Sequence, residues 1–455
     1  MIQLLASVLN TACVMAVIAY VLVRTRFYSL ITEKSHSIHH QILLILLFAA
    51  FTMYGVLIAI PIAGGFVALG HIGQIIGGLM AGPLVGTCVG LLIALHRWSL
   101  GGFSVVPATL SVILVGLFAG VYALWRKTAR YNPLEVAALV IVLELFSSGL
   151  TLLLIPDLHQ ALELEKGIRL PMTIGHMIAG AVFILIFNNI VEARQTVEAK
   201  EKIESELRIA SNIQMSMVPK TFPPFPDVPE FDVFALLKPA KEVGGDFYDF
   251  FFTDNDHICF AIGDVSGKGV PAALFMAVTR TLLKSHVTSN KTIDQSMFKT
   301  NNDLCEGNDA CMFTTLFSGI LDIRTGEFSF SNGGHNFPYL YRKDGTIEMI
   351  TSANSVALGC MEDMPYQTGM VVLSEGDALV MYTDGVSEAM NKNLEFFTEE
   401  RLETAIRKSP PSSTRAIVKN LMDEIDGFVA GAPQSDDITL LVFTYNGNKP
   451  ASPSA

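Results

Sequence analysis

Apolar and polar positions divide the chain into two halves at about residue 190. The first half consists of long apolar runs, at 2–23, 41–60, 72–95, 104–125, 134–155 and 171–190. Runs of about 20 apolar residues can cross a bilayer as helices. The pattern therefore predicts six transmembrane helices, and we take the first as retained, because no small-residue cleavage site precedes Arg24.

After residue 190, short apolar stretches alternate with turns rich in Gly, Asp and Asn. The alternation predicts strands at 231–237, 257–262, 315–322, 327–332, 338–341, 378–382 and 438–443. Helical spacing predicts helices at 271–286, 292–304, 399–408 and 413–429. This order favours antiparallel sheets flanked by helices, an α+β layered domain.

A polar helical segment, 191–219, connects the two halves. A four-three spacing runs through Ile203, Leu207, Ala210, Gln214 and Met217, and polar Gln214 is its weak position. That spacing predicts a short parallel coiled coil between two protomers, and hence a homodimer. The predicted organisation is a membrane domain at 1–190, a linker at 191–219, a soluble domain at 220–445 and a disordered tail at 446–455.

Charge is distributed unevenly between the halves. The first 190 residues hold nine Lys/Arg and six Asp/Glu, and the remainder holds 22 against 37. An acidic soluble half argues against nucleic acid as a partner and is compatible with divalent metal binding. The six cysteines include no C-x-x-C pair, which indicates free thiols in a reducing cytosol.

The basic residues also bear on orientation in the membrane. Arg126, Lys127 and Arg130 favour the cytoplasmic side, and six spans then place both termini inside. The loop with Arg26 and Lys34 would then lie outside, against the positive-inside rule. Either this loop is an exception or the first segment does not span.

Aspartates recur at predicted strand ends beside glycines in the soluble half. They are Asp246, Asp264, Asp384 and the adjacent pair Asp436 and Asp437. Any one of them alone is typical of a turn cap. If the fold brings the carboxylates from four strand ends together, their clustering costs free energy unless cations lie between them. The pattern therefore favours a metal site.

Three other interpretations of the glycine-rich motifs fail. Ile262 and Gly269 stand where a Walker A loop needs Gly and a hydroxyl residue. The spacing of the glycines around Asp264 is not the dinucleotide-binding one. Gly244-Gly245-Asp246-Phe247 suggests the diguanylate cyclase signature, but it lacks the second acidic residue and lies at the start of the domain.

From about 207 to 443 the chain resembles the SpoIIE/RsbU branch of the metal-dependent serine/threonine protein phosphatases. The aspartate motifs carry the resemblance together with 312–317 and 332–336. It implies an α-β-β-α layered fold and two Mn²⁺ or Mg²⁺ ions. It further implies that Asp246 and Asp264 hold both metals with the Val265 carbonyl, and that Asp384 and Asp436 complete the second site. Asp437 stands where relatives often have Asn, so the choice between Asp436 and Asp437 stays open.

The resemblance implies hydrolysis of phosphoserine by a metal-activated water. The expected substrate is a STAS-type anti-sigma-factor antagonist phosphorylated on serine. His335 is a candidate acid, although its position between Gly334 and Asn336 favours a turn cap. The helix at 271–286 directly follows Asp264, which makes it the expected place for regulation.

The membrane half resembles the LytS-type five-transmembrane receptor domain of bacterial sensor proteins. The resemblance rests on the glycine-rich stretch 70–83 and on 95–103, and covers most of 40–190. It implies an unidentified small ligand and a location in the bacterial cytoplasmic membrane, with the phosphatase domain in the cytoplasm. Glu144 lies within a predicted span, and intramembrane carboxylates are functional candidates.

Three functions compete. The first is a membrane-anchored, signal-regulated serine phosphatase. The second is a non-catalytic receptor that only binds a partner, against which the presence of all four aspartates argues. The third, a receptor histidine kinase, needs a phosphoacceptor histidine on its dimerisation helix, and 191–218 contains no histidine.

Overall fold

A computed structural model describes residues 2–24, 37–57, 60–62, 65–67, 70–126, 130–289, 292–410 and 413–447. The chain forms two compact units, 1–200 and 201–455. The basic positions Arg26, Lys34 and Lys127 and most of the predicted tail lie outside the described residues.

The described residues of the first unit are helical apart from a small hairpin, β1 (Ile60–Ile62) and β2 (Gly65–Val67). The helices are α1 (Ile2–Arg24), α2 (Ile38–Leu57), α3 (His71–Ala81), α4 (Pro83–Leu100), α5 (Val105–Arg126), α6 (Pro133–Leu154) and α7 (Leu158–Met217), of which α7 continues into the second unit from residue 201. Among the described residues, five helices are long and apolar enough to cross a membrane: α2, α4, α5, α6 and α7.

The prediction of a single span at 72–95 is wrong. The chain there forms two helices, α3 and α4, which separate at Gly82 and Pro83. Gly82 adopts φ 92°, a conformation that L side chains rarely adopt, and Pro83 cannot donate the next helical hydrogen bond.

Glycines in this unit bring helix backbones together. A Cβ on Gly86 would lie 2.3 Å from the carbonyl oxygen of Gly116, and a Cβ on Gly116 would lie 2.2 Å from that of Gly86. A Cβ on Gly78 would lie 2.7 Å from the same Gly116 carbonyl. The glycine spacing therefore serves tight packing of α3, α4 and α5, as small residues do in membrane bundles.

The second unit contains two sheets. Its strands are β3 (Phe231–Lys238), β4 (Phe247–Phe252), β5 (His257–Val265), β6 (Thr314–Asp322), β7 (Glu327–Gly333), β8 (Tyr339–Tyr341), β9 (Ile347–Met349), β10 (Asn354–Ser355), β11 (Gly369–Val372), β12 (Ala378–Tyr382) and β13 (Ile438–Tyr445). One sheet has the order β10-β7-β6-β5-β4, with β11 also paired to β7. The other has the order β3-β13-β12-β8-β9.

Helices cover the outer faces of both sheets. They are α8 (Val270–Ser289), α9 (Ile293–Cys305), the short α10 (Asp384–Ser387), α11 (Glu399–Arg407) and α12 (Thr414–Val429). Along β12, Leu379 and Met381 belong to the core shared with the other sheet, while Val380 and Tyr382 pack with α11 and α12. Alternate residues thus serve two layers, and the predicted α-β-β-α arrangement is confirmed.

Candidate metal centre

Asp246 and Asp264 come together where β4 begins and β5 ends. The antiparallel register pairs Phe247 with Gly263, so the two aspartates occupy neighbouring positions on adjacent strands. Asp246 is only 2% exposed. Burial raises the pKa of Asp246 well above its usual range, and the negative charge of Asp264 raises it further. The pKa of Asp264 is also raised, first by burial and then by the charge of Asp384.

Two threonine hydroxyls fix the orientation of Asp246. Thr383, which follows β12, donates to Asp246 Oδ2 at 2.7 Å, and Thr439 in β13 donates to the same oxygen at 2.5 Å. A carboxylate beside one sheet is therefore held by hydroxyls from the other. Neither threonine was predicted from the sequence as part of the site. Each lies within two residues of a predicted aspartate, and this proximity is the signal that could have identified them.

Asp437 binds the chain that leads into β4. Its Oδ1 accepts a hydrogen bond from the Ala240 amide at 2.8 Å, and its Oδ2 accepts one from the Gly245 amide at 2.9 Å. A Cβ on Gly244 would lie 1.9 Å from Asp437 Oδ2, so only glycine allows this close approach. Both oxygens of Asp437 are thus occupied in shaping the loop that presents Asp246.

Asp384 and Asp436 form the other side of the cluster. Asp384 begins α10, and Asp436 lies two residues before β13. Burial raises the pKa of Asp384, and the charge of Asp436 adds to this effect. Lys268 approaches from the turn after β5, where its Nζ lies 2.8 Å from Asp436 Oδ2 and 2.9 Å from the Ser435 carbonyl oxygen. Sequence reasoning missed Lys268, because only the folded chain shows its proximity to Asp436.

The Val265 carbonyl lies beside these carboxylates. A Cβ on Gly245 would lie 2.6 Å from Val265 O and 3.3 Å from Asp264 Oδ1, so both oxygens face the same glycine. Carboxylate and carbonyl oxygens are the ligands of hard divalent cations. The donor set fits Mg²⁺ or Mn²⁺. Burial, followed by repulsion between the carboxylates, raises the pKa values of Asp246 and Asp264, and such cations would relieve both effects.

His335 is a structural residue of a turn. Its backbone N–H donates to Asn332 Oδ1 at 2.7 Å, and Asn332 Nδ2 donates to its carbonyl at 2.9 Å. Burial lowers the pKa of His335 to about 4, so the ring is uncharged near neutral pH. These contacts favour the turn cap over the catalytic acid.

Gln214, near the end of α7, contacts the same glycine loop. Its Nε2 donates to the Gly244 carbonyl at 2.6 Å, and its Oε1 accepts from the Gly244 amide at 3.2 Å. Gln214 is 6% exposed, whereas Ile203 is 57% exposed. The residue predicted as a weak coiled-coil position thus holds the loop that leads to Asp246.

Comparison with known families agrees with this architecture. Residues 254–446 match the family model of stage II sporulation protein E (SpoIIE), and residues 25–190 match the 5TMR of the 5TMR-LYT family. Two family models thus match successive parts of the chain, which we call the receptor domain and the phosphatase domain after the families that they resemble. The matched part of the phosphatase domain includes Asp264, Asp384 and Asp436, while Asp246 lies eight residues before it.

Individual relatives cover parts of the chain. Protein IcfG of Synechocystis is 30% identical over 51% of this chain and 40% of its own length. Phosphoserine phosphatase RsbU of Bacillus subtilis is 31% identical over 48% of this chain and 64% of its own. Sensor histidine kinase BtsS of Escherichia coli is 28% identical over 40% of this chain and 34% of its own. The chain thus aligns with less than two thirds of each of these relatives.

Proposed function

We propose that the phosphatase domain hydrolyses phosphoserine on a regulatory protein and that Asp246, Asp264, Asp384 and Asp436 hold two divalent cations, Mn²⁺ or Mg²⁺. The observation that carries this proposal is the pairing of buried Asp246 with half-buried Asp264 at one end of the sheet. The SpoIIE family match and the phosphoserine phosphatase relative support it.

Each residue has a distinct part in this proposal. Asp264 and the Val265 carbonyl provide oxygens on one side of Gly245. Thr383 and Thr439 hold one oxygen of Asp246, which leaves the other for a cation. Asp437 keeps the loop in place and is not itself a ligand. When bound, the cations would lower the pKa of a water and neutralise charge on the phosphoryl group.

The substrate we propose is a STAS-type anti-sigma-factor antagonist phosphorylated on serine, because phosphoserine phosphatase RsbU is among the relatives. The enzyme would be a homodimer in the bacterial cytoplasmic membrane, with the phosphatase domain in the cytoplasm. The 5TMR match and the five apolar helices support the membrane location.

Phosphate release tests the proposal directly. The full-length protein in detergent is incubated with a serine-phosphorylated STAS-domain protein, after EDTA treatment and then with Mn²⁺ or Mg²⁺ restored. We expect release only with a divalent cation and its loss in Asp264→Asn. Exposed Asp309→Asn is the matched control. Release that survives EDTA would contradict the metal mechanism, and binding without hydrolysis under any metal would favour a non-catalytic receptor.

We further propose that the receptor domain regulates hydrolysis through the end of α7. Gln214 hydrogen-bonds both polar backbone groups of Gly244, two residues before Asp246. Displacing this helix end would therefore disturb the position of a proposed metal ligand. Gln214→Leu should lower activity and increase hydrogen exchange at 240–246, whereas Gln214→Glu, which retains one acceptor, should have a smaller effect. Unchanged exchange in Gln214→Leu would contradict this route.

A further inference from the structure

A cluster of two histidines and a carboxylate lies inside the receptor domain, remote in sequence from the phosphatase aspartates. Glu144 in α6 is 1% exposed and is approached by His71 from α3 and His176 from α7. The Nδ1 atoms of His71 and His176 lie 3.0 and 2.8 Å from Glu144 Oε1. Each residue offers one ligand atom, and all three atoms lie within 4.8 Å of one another.

The charges around this cluster do not balance when the histidines are neutral. Arg169 donates to Glu144 Oε2 at 2.6 Å and also to both oxygens of Glu165, at 2.6 and 2.7 Å. Two carboxylates thus share one guanidinium group. Uncompensated charge is costly inside an apolar bundle. A bound cation would remove the excess negative charge.

Polar atoms near the cluster also have no protein partner. Gln74 lies one helical turn from His71 on α3, is fully buried, and both of its amide atoms lack a hydrogen-bond partner. The Nε2 atom of fully buried His176 lacks one as well. Buried polar groups are nearly always paired with protein, water or ions, so these atoms indicate a bound species.

We propose that His71, Glu144 and His176 bind a divalent transition metal of the zinc class. Imidazole nitrogens with one carboxylate oxygen suit Zn²⁺, Co²⁺ and Ni²⁺ and are poorly suited to Ca²⁺ or Mg²⁺. Arg169, on the second oxygen of Glu144, orients the carboxylate from outside, as hydrogen-bond partners of metal ligands commonly do. Three protein ligands would leave a fourth, tetrahedral position for a water.

The three ligands come from three helices, so a bound metal would affect the structure and stability of the receptor domain. The metal fixes α3, α6 and α7 to one another at a single point. Because it binds the folded domain, it also stabilises that domain, by an amount that rises with the logarithm of its concentration once this exceeds Kd. The inference does not depend on the phosphatase activity.

Cobalt spectroscopy tests the site without any assay of activity. The full-length protein, purified in detergent without a histidine tag and stripped of metal, is titrated with Co²⁺ and then with Zn²⁺. We expect visible absorption typical of nitrogen-ligated Co²⁺, abolished by Zn²⁺. The oxygen ligands of the phosphatase domain do not produce this nitrogen-dependent signal.

Variants assign the signal to the cluster. His71→Ala or His176→Ala should weaken Co²⁺ binding by at least about 100-fold, since even partners outside the ligand shell contribute 10- to 100-fold. His159→Ala, which changes an exposed histidine at the start of α7, should match wild type. If an alanine variant fails to fold, Glu144→Gln, which keeps the shape of the side chain and removes its charge, tests the carboxylate instead.

Three results would overturn the proposal. If folded wild-type protein gives no nitrogen-dependent absorption, or gives a signal that the double variant His71→Ala/His176→Ala retains at unchanged affinity, the cluster is an internal hydrogen-bond network. Zn²⁺ that fails to raise the thermal transition of the wild type relative to His71→Ala leads to the same conclusion.

Discussion

The receptor and phosphatase domains each bury a carboxylate, but they surround it differently. Glu144 is 1% exposed and lies between the guanidinium group of Arg169 and two imidazoles. Asp246 is 2% exposed and contacts two hydroxyls, with the carboxylate of Asp264 as its charged neighbour. Burial alone therefore does not define what an acidic residue does, since the neighbouring groups decide whether its charge is met by protein cations and imidazoles or is opposed by further carboxylates.

This difference predicts opposite responses to loss of the acid. Removing a carboxylate from a cluster of like charges relieves repulsion, whereas removing one that accepts hydrogen bonds from several buried groups leaves those groups unsatisfied.

Asp264→Asn should produce the largest change. We expect phosphate release to fall at least about 100-fold in saturating Mn²⁺, because a direct ligand contributes more than the 10- to 100-fold typical of groups behind it. In EDTA the same variant should unfold at a higher temperature than wild type, since one of the repelling charges is gone. Retention of more than about a tenth of the activity would exclude Asp264 as a ligand.

Glu144→Ala should destabilise the receptor domain. Removing an acceptor from buried donors typically costs about 1–3 kcal/mol, and His71, His176 and Arg169 all lose their contact with the Glu144 carboxylate. Thermal unfolding of the full chain in detergent measures the effect. Glu163→Ala, at an exposed carboxylate paired with Lys166, is the matched control and should change stability little. Equal effects of the two substitutions would remove the distinction drawn between the clusters.

The adjacent aspartates at 436 and 437 should respond in different ways. In Asp437→Asn the side chain is uncharged and keeps only one acceptor oxygen for the two backbone amides that Asp437 binds. This loss should lower the free energy of unfolding by about 1.5–3 kcal/mol. Asp436→Asn should change stability little and instead weaken Mn²⁺ binding. Parallel denaturation and metal titration of the two variants separate these roles, and the reverse pattern would show that Asp437 is the ligand.

Lys268→Met should have the smallest effect. Its ion pair with Asp436 is partly exposed, and such pairs are worth about 0.2–1 kcal/mol. Because the lysine competes with a cation for this carboxylate, the Mn²⁺ concentration for half activity should fall by up to about fivefold. Added salt should lower the difference between variant and wild type. A higher Mn²⁺ requirement would show that Lys268 assists the site rather than competing with the metal.

Local patterns in the sequence predicted much of the phosphatase domain. Strand β5 and the helix after it follow from an apolar run, a glycine turn and an Ala/Leu/Met segment, and the structure places them at His257–Val265 and Val270–Ser289. Strand β4 was not predicted, because its run of aromatic residues around Asp249 does not alternate between apolar and polar. In the fold Asp249 lies within that strand, 2.8 Å from Arg280 of α8, and not in a turn.

Contacts between distant residues could not be predicted in this way. Nothing in the sequence around Asp437 shows that it binds the amides of Ala240 and Gly245, almost 200 residues earlier. Likewise, nothing in the sequence around Glu144 shows that His71, Arg169 and His176 are its partners. Sequence patterns define which residues are candidates, while the packing of remote segments defines which of them have charge left for a ligand.

The last turns of α7 show how one helix face can serve only one neighbour at a time. Gln214 and Val218 are buried against the glycine loop and the core of the phosphatase domain. A coiled coil formed through Leu207, Gln214 and Met217 would need this same face. Pairing of two protomers at this level and retention of the Gly244 hydrogen bonds are therefore mutually exclusive, so a homodimer that keeps these bonds would have to pair through other residues.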